Sequence, residues 1–289
     1  MADVRSIGYR INCLKPNGIH FHLPSDTLPH VVALLTNQIL TVAPHPPAML
    51  VPMMDELERL STCGGYELSV RSCFSRGLFP ATLPPELCTQ FEPFLSRNLI
   101  PVHPSASCAL PQPRPDLVYG YSIWTAFTET QQTTFQHLHP ENRSYAQAAF
   151  DLYFPFFVVE LKAAAGTGGN LWDAANQCAG GAATCLQAVH QLNTTLGAAG
   201  CQGSIPNLCY SLAIDNNLGQ LYVSWKDGLT SHIRLMASFS LSDAQHFGRL
   251  CACVGAILEW GATTRLHDIC AAADCIGGQK LLPDCLESP

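Results

Sequence analysis

The sequence predicts an α/β fold, a central mixed β-sheet flanked by helices, on three observations. Leu152 to Leu161 (LYFPFFVVEL) is a near-continuous apolar run of the kind found in a strand covered on both faces. A glycine-rich turn, Gly166-Thr-Gly-Gly, then leads to Asn170, a good N-cap, and a helix running to about Leu192. Two more apolar runs and a last amphipathic helix follow, an alternation that builds a sheet with helices on its faces. At 289 residues, with 47% hydrophobic and 13% charged side chains, the chain can fill a sizeable core and is neither a disordered tail nor a coiled coil.

The elements can be justified in order. Of the 21 prolines, 16 lie at or before Pro115, so residues 1–100 should be a helical, proline-rich region packed on the core. Within it, helical spacing runs from Thr27 to Val42 through Leu28, Val31, Leu34, Leu35 and Ile39. Pro52 to Leu60 and Pro85 to Leu95 read as two further short helices. Pro101 to Pro115 is an extended, proline-broken lead-in to a core expected over residues 101–270. Asp116 to Trp124 has the β-branched and aromatic content of a strand, and Thr125 to Arg143 reads as a polar insertion. Pro155 sits near the start of the Leu152 strand, where a missing donor is tolerable. Trp172, Ala175, Ala179, Ala182, Leu186 and Val189 make a buried stripe on the helix that follows, its small residues allowing close approach to a sheet. Leu208 to Ile214 and Gly219 to Trp225 are strands around an Asp215-Asn-Asn turn. Ser242 can cap a helix carrying Phe247, Leu250, Val254, Ile257 and Leu258, ending near Gly261, with residues 271–289 left as a tail.

Composition narrows the classes of function. No run of about 18 uncharged apolar residues occurs, so no membrane helix is expected. The first residues have no apolar stretch of secretory type, so the protein is expected inside the cell, nuclear or cytoplasmic, and its 14 cysteines are expected to be reduced thiols. No C-x2-C pair occurs, which argues against structural zinc. A net charge of -7 repels nucleic acid over the surface as a whole, so a polyanion would need a local basic strip.

Glu160 and Lys162 are the anomaly, because they close the most apolar strand and point to the same face. An unpaired charge there costs several kcal/mol, so the two must pair, reach solvent or bind an ion. Asp116 follows Pro115 at the start of another strand. Two carboxylates and a lysine converging at strand ends make a hard-cation site, in which oxygens hold magnesium and the lysine orients a water beside a phosphate.

In these residues the sequence resembles the PD-(D/E)XK nuclease superfamily, whose signature stands here as Pro115-Asp116 and then Glu160-Leu161-Lys162. More closely, it resembles the fungal nuclease-like proteins of that superfamily, through PDLVYGYS (115–122), YFPFFVVELKA (153–163), GGNLWDAANQCAGGAATC (168–185) and LYVSWK (221–226), and the similarity runs from about Tyr9 to Leu266. The resemblance implies a restriction-endonuclease-like core, a mixed four-stranded sheet flanked by helices. It also implies hydrolysis of DNA or RNA assisted by Mg2+, with Mn2+ as a substitute. Asp116 and Glu160 would be metal ligands, the Leu161 carbonyl a further one, and Lys162 would position the attacking hydroxide and stabilise charge on phosphorus. Gln177 matches an assisting glutamine on the following helix, and Glu86 or Glu92 would supply an upstream acid. A nuclease-like binding or interaction module without turnover is the alternative.

Other features point to structure. His20-x-His22 and His137-x-His139 place ring pairs on a strand face without a third ligand nearby and read as surface histidines. Gly166 to Gly169 lacks the Gly-Lys-Ser/Thr ending of a P-loop. Trp124, Trp172, Trp225 and Trp260 lie in apolar stretches and read as core. Arg71, Arg76, Arg97, Arg114 and Arg143 are phosphate contacts only if folding gathers them.

Overall fold

A computed structural model describes residues 3–44, 50–64, 66–103, 106–137, 145–163 and 169–280. The first strand, β1 (Ile19–His22), is followed by helices α1 (His30–Leu40), α2 (Leu50–Cys63) and α3 (Glu67–Ser75). Strand β2 (Leu87–Phe91) precedes β3 (Leu117–Tyr121), the short helices α4 (Ile123–Ala126) and α5 (Glu129–His137), and β4 (Gln147–Ala149). The long strand β5 (Leu152–Leu161) leads to α6 (Leu171–Ala198), then to β6 (Leu208–Ile214), β7 (Leu218–Asp227) and β8 (Thr230–Ser240). Helices α7 (Ala244–Trp260) and α8 (Leu266–Lys280) complete the order.

Among the described residues, eight strands form one open sheet in the order β1-β8-β7-β6-β5-β3-β2, with β4 paired to β5. The β1–β8 and β5–β6 pairs are parallel and the others antiparallel, so the sheet is mixed. The resemblance implied four strands for the core, and the sheet has twice that number. The continuous apolar run of β5 is explained by its place: nine of its ten residues are buried between helices on both sides. Successive residues of β6 show the two layers. Ala213 belongs to the cluster under α6, while Ile214 lies next to Leu250 of α7 where both crowd Gly219.

Local chemistry accounts for the elements that matter most to the site. Asn170 caps α6 through a capping box, its side chain accepting from the Asp173 amide at 3.2 Å while Asp173 accepts from the Asn170 amide at 3.0 Å. Small residues then let α6 lie close to β5, and a Cβ added at Gly181 would stand 3.1 Å from Val158. The β3–β5 ladder shifts register between Tyr119 and Tyr121, where Phe154 has φ +43°. Pro155 sits at this bulge, where it removes no ladder hydrogen bond, and Gly120 makes the bulge possible because a Cβ there would stand 2.8 Å from the Tyr153 carbonyl.

Several expectations are corrected. Pro85–Leu95 is not a helix: Leu87, Phe91 and Leu95 mimic helical spacing, but Leu87–Phe91 pairs with β3 as an edge strand bracketed by prolines. The Thr125–Arg143 stretch is not merely polar, since Phe127 and Phe135 are buried and pack edge-on, with Phe135 also against Phe154; residues 138–144 lie outside the described residues. The N-terminal region does more than pack on the core, because β1 and β2 are strands of the same sheet. Helix α8 runs through the expected start of the tail at 271, and residues 281–289 lie outside the described residues. Asp243, not Ser242, caps α7 by accepting from the Gln245 and His246 amides. Cys201 and Cys275 form a disulfide between the α6–β6 connection and α8, a pairing across 74 residues that local spacing could not reveal. Trp124 is 73% exposed and Trp172 is 41% exposed, whereas Trp225 and Trp260 are core as expected.

The junction of α7 and α8 packs against the sheet through one buried cation. Arg265 donates to the Tyr121 hydroxyl at 3.1 Å beside the rings of Phe156 and Trp260, and that hydroxyl donates to the Gly261 carbonyl at 2.7 Å. A Cβ at Gly261 would clash with the Phe156 ring, whose nearest atoms would lie within 3 Å of it. Gly261→Ala should therefore cost about 1–3 kcal/mol and lower the thermal midpoint. Gly255→Ala, on the exposed side of α7 with open space around it, should add about 0.5–1 kcal/mol in the same melting experiment.

Candidate active site

Asp116 stands immediately before β3, and the antiparallel register that pairs Leu117 with Val159 brings Asp116 opposite Glu160. Alternation along β5 turns Val158, Glu160 and Lys162 toward α6. All three charged residues are buried, at 7% exposure for Asp116, 2% for Glu160 and 6% for Lys162. Lys162 extends the pairing with β6 by donating its amide to the Ile214 carbonyl at 2.9 Å, which fixes its side chain beside the carboxylates. Its Nζ lies 3.9 Å from Glu160 Oε2.

Asp116 is held at both oxygens. Oδ2 accepts from the Leu161 amide at 2.7 Å and Oδ1 from Arg71 Nη2 at 2.6 Å. Arg71 uses its other nitrogen on Glu92 Oε1 at 2.5 Å, and Glu92 Oε2 accepts from Arg114 Nη2. The chain runs Arg114–Glu92–Arg71–Asp116, a planar-fork network of charge-assisted hydrogen bonds. Glu92 sits at φ +49°, unusual for a residue with a side chain, while its amide donates to the Asp116 carbonyl at 3.1 Å and its own carbonyl accepts from Arg114 Nε. Backbone strain of this kind concentrates at functional sites.

The electrostatics follow from burial. Loss of water raises the Glu160 carboxyl well above its ordinary value, the Asp116 carboxylate beside it raises it further, and Lys162 opposes both only in part. The hydrogen bond and charge of Arg71, followed by Arg114, hold Glu92 below the ordinary carboxylate range. Cys178 of α6, buried under the same strand, has its thiol pushed up by burial and by Glu160.

The fold sorts the residues singled out in the sequence. Gln177 is half-buried and lines a cavity of about 180 Å³ together with Glu160, Asn176, Arg114 and Tyr9. Elsewhere on the same helix, Asp173 serves the capping box and Thr184 donates to the Gly180 carbonyl. Glu92 reaches the site, but Glu86 does not: it lies beside Ser122, at the far end of the β2–β3 pair, about 20 Å along the strand from Asp116. Of the arginines, Arg71 and Arg114 meet at Glu92, Arg97 bonds Gln112, Arg76 bonds the Ser72 carbonyl, and Arg143 lies outside the described residues. Residues 164–168, which hold most of the glycine turn, also lie outside them. His22 and His232 share a hydrogen bond of 2.8 Å and stack on Trp225, so the His20-x-His22 pair is only half on the surface. His137 ends a helix rather than lying on a strand, and His139 is outside the described residues. Trp172 stacks on the Arg10 guanidinium, at 3.6 Å, instead of filling the α6 stripe.

Glu67 escaped the sequence reading, and Arg71, singled out there as a phosphate contact, instead holds Asp116. Arg71 and Glu67 stand one helical turn apart on α3; Arg71 grips Asp116, and the charge of Glu67 reaches Glu160. An i, i+4 acid–base pair ahead of a strand was the only local signal. Among the described residues no group of three or more His, Cys, Asp or Glu is arranged to hold a metal ion. No described helix is long and apolar enough to cross a membrane.

The α/β sheet protein that carries this site matches the family model described as "Domain of unknown function (DUF7924)" over residues 80–273, and the chain belongs to that family. The matched stretch takes in Glu92, Asp116, Glu160, Lys162 and Gln177, while α3, with Glu67 and Arg71, precedes it. No curated protein and no solved structure matches the chain.

Two outcomes follow for stability. A carboxyl whose value is raised on folding holds its proton after the unfolded chain has lost its own, so stability falls as pH rises from the ordinary 4.5 to the raised value. In chelator-treated protein, the stability of Glu160→Gln relative to wild type should therefore increase across that window and level off above it; parallel pH curves in urea unfolding would contradict this. Arg71→Met strips Asp116 and Glu92 of their shared cation and should cost about 2–3 kcal/mol at pH 7. That loss should shrink in acid, because the contribution of the depressed Glu92 disappears as pH falls through its folded value.

Proposed function

We propose that this protein is a divalent-metal-dependent nuclease with a restriction-endonuclease-like core, hydrolysing phosphodiester bonds of DNA or RNA. The observation that carries the reading is the opposed pair of buried carboxylates, Asp116 and Glu160, with Lys162 next to them on the same sheet face. The donor set fits Mg2+ or Mn2+: a hard cation that keeps several of its waters needs only one or two protein carboxylates, here with the Leu161 carbonyl as a further oxygen. The raised Glu160 carboxyl fits as well, since a cation would supply the charge that Lys162 leaves uncompensated.

A cation held there would lend positive charge to the phosphate and make a water more acidic. The chain's own groups would do the rest. Lys162 would hold the attacking water in line with phosphorus and stabilise the negative charge that builds on its oxygens. Gln177, on the wall of the Glu160 cavity, would orient the same water or a phosphate oxygen. Arg114 would offset phosphate charge near the mouth of the site, the local basic group that a chain of net charge -7 needs. In the reaction the water oxygen bonds to phosphorus as the phosphorus–oxygen bond to the leaving sugar breaks, and a proton passes to that oxygen.

The second reading, a nuclease-like binding or interaction module without turnover, has its own observation. Both oxygens of Asp116 are already engaged, by Arg71 and by the Leu161 amide, so a cation must compete with an arginine for this ligand. Cleavage of labelled single-stranded and duplex DNA and RNA with Mg2+ or Mn2+ separates the two readings. The nuclease requires metal-dependent cutting that falls about 100-fold or more in Asp116→Ala and in Lys162→Ala, with a smaller loss in Gln177→Ala. Cutting indifferent to those substitutions, or none on any substrate, favours the silent module.

A further inference from the structure

Cys13 and Cys108, far apart in the chain, bring their sulfurs to 3.1 Å. Cys13 is on the helical turn Arg10–Leu14 before β1 and is buried, whereas Cys108 is half-exposed on the proline-rich lead-in and lines an open cavity of about 840 Å³. Asn17 locks the two main chains together, its amide donating to the carbonyls of Cys13 at 2.9 Å and of Cys108 at 2.7 Å. A disulfide needs a sulfur–sulfur distance of about 2.05 Å, so the pair must close by only about 1 Å. We propose that Cys13 and Cys108 are a thiol modification site, a dithiol that hydrogen peroxide or an organic hydroperoxide oxidises to a disulfide.

The chemistry assigns a different role to each sulfur. Cys108, which peroxide can reach from the cavity, attacks the peroxide as its thiolate; a sulfur–oxygen bond forms as the oxygen–oxygen bond breaks, and hydroxide leaves to become water. Cys13, shielded from the reagent, then attacks the Cys108 sulfur; the sulfur–sulfur bond forms, the sulfur–oxygen bond breaks, and the Cys13 proton leaves with the second water. Two thiols lose two electrons in total, and one hydrogen peroxide becomes two waters, or one organic hydroperoxide an alcohol and a water. Burial and the neighbouring sulfur push the Cys13 thiol up to about 12, which suits a resolving partner more than a first nucleophile. Cys185 and Cys209 also lie beside each other, but both are buried and lack an approach for the oxidant, so they serve as an internal control. The new bond would tie the Arg10–Leu14 turn to the lead-in that ends at Asp116, a link independent of whether the site cleaves nucleic acid.

The test is a peptide map of the full chain before and after brief exposure to hydrogen peroxide, with remaining thiols alkylated in denaturant. The expected result is a linked pair of peptides containing Cys13 and Cys108, about 2 Da lighter than their sum, absent before treatment and reversed by dithiothreitol. Cys185 and Cys209 should remain alkylated, and Cys108→Ser, a change at a half-exposed position, should leave Cys13 alkylated as well. Cys13 still fully alkylated in treated wild type, or Cys108 recovered as sulfinic acid or joined to any other cysteine, would overturn the assignment.

Discussion

Two carboxylates meet across the β3–β5 ladder where little water reaches them, and much of the surrounding structure answers that charge. An unpaired buried carboxylate costs several kcal/mol, against a net stability of about 5–15 kcal/mol for a whole domain. Arg71, Arg114 and Lys162 face Asp116, Glu160, Glu92 and Glu67, so full ionisation leaves an excess of negative charge. Either Glu160 keeps its proton or a cation enters. The strained backbone at Glu92 and the grip of Arg71 on Asp116 belong to the same constraint, because they hold the carboxylates in place while that choice remains open.

The sheet explains why the site is where it is. Charged residues can end an apolar strand only where a neighbour supplies partners, and β3 supplies Asp116 because its antiparallel register meets β5 at that point. Helix α6 approaches closely enough to enclose Glu160 because its inner face there is mostly small, with Ala174, Cys178 and Gly181, and the capping box at Asn170 sets where it starts. From the other side, α3 brings Arg71 and Glu67 from a part of the chain that the proline distribution suggested was peripheral.

What the sequence revealed divides along physical lines. Strand β5 and helices α6 and α7 were legible because a doubly covered strand and an amphipathic helix leave periodic traces. Asp116, Glu160 and Lys162 stood out because ionisable groups at the end of such a strand require an explanation. Edge strands leave weaker traces. In β2, Leu87 and Phe91 are four apart and imitate a helix; β8, although it lies between β1 and β7, is mostly half-buried and leaves no continuous apolar run. The choice between Glu86 and Glu92 could not be made from spacing, since it is the β2–β3 register that puts Glu92 against Asp116 and Glu86 at the opposite end. The parts played by Arg71, by the exposed Trp172 and by the Cys201–Cys275 disulfide depend on tertiary contacts between distant segments.

The central claim is that the Asp116–Glu160 pair is a cation site, and direct titration of Mn2+ into chelator-stripped full-length protein tests it most simply. Calorimetry should find a site in the wild type whose affinity falls at least about tenfold in Asp116→Asn, the loss expected when a carboxylate ligand is replaced by a neutral amide of the same shape. An absence of binding, or equal affinity in the two proteins, would contradict the account and leave the buried charge to be satisfied by a proton on Glu160.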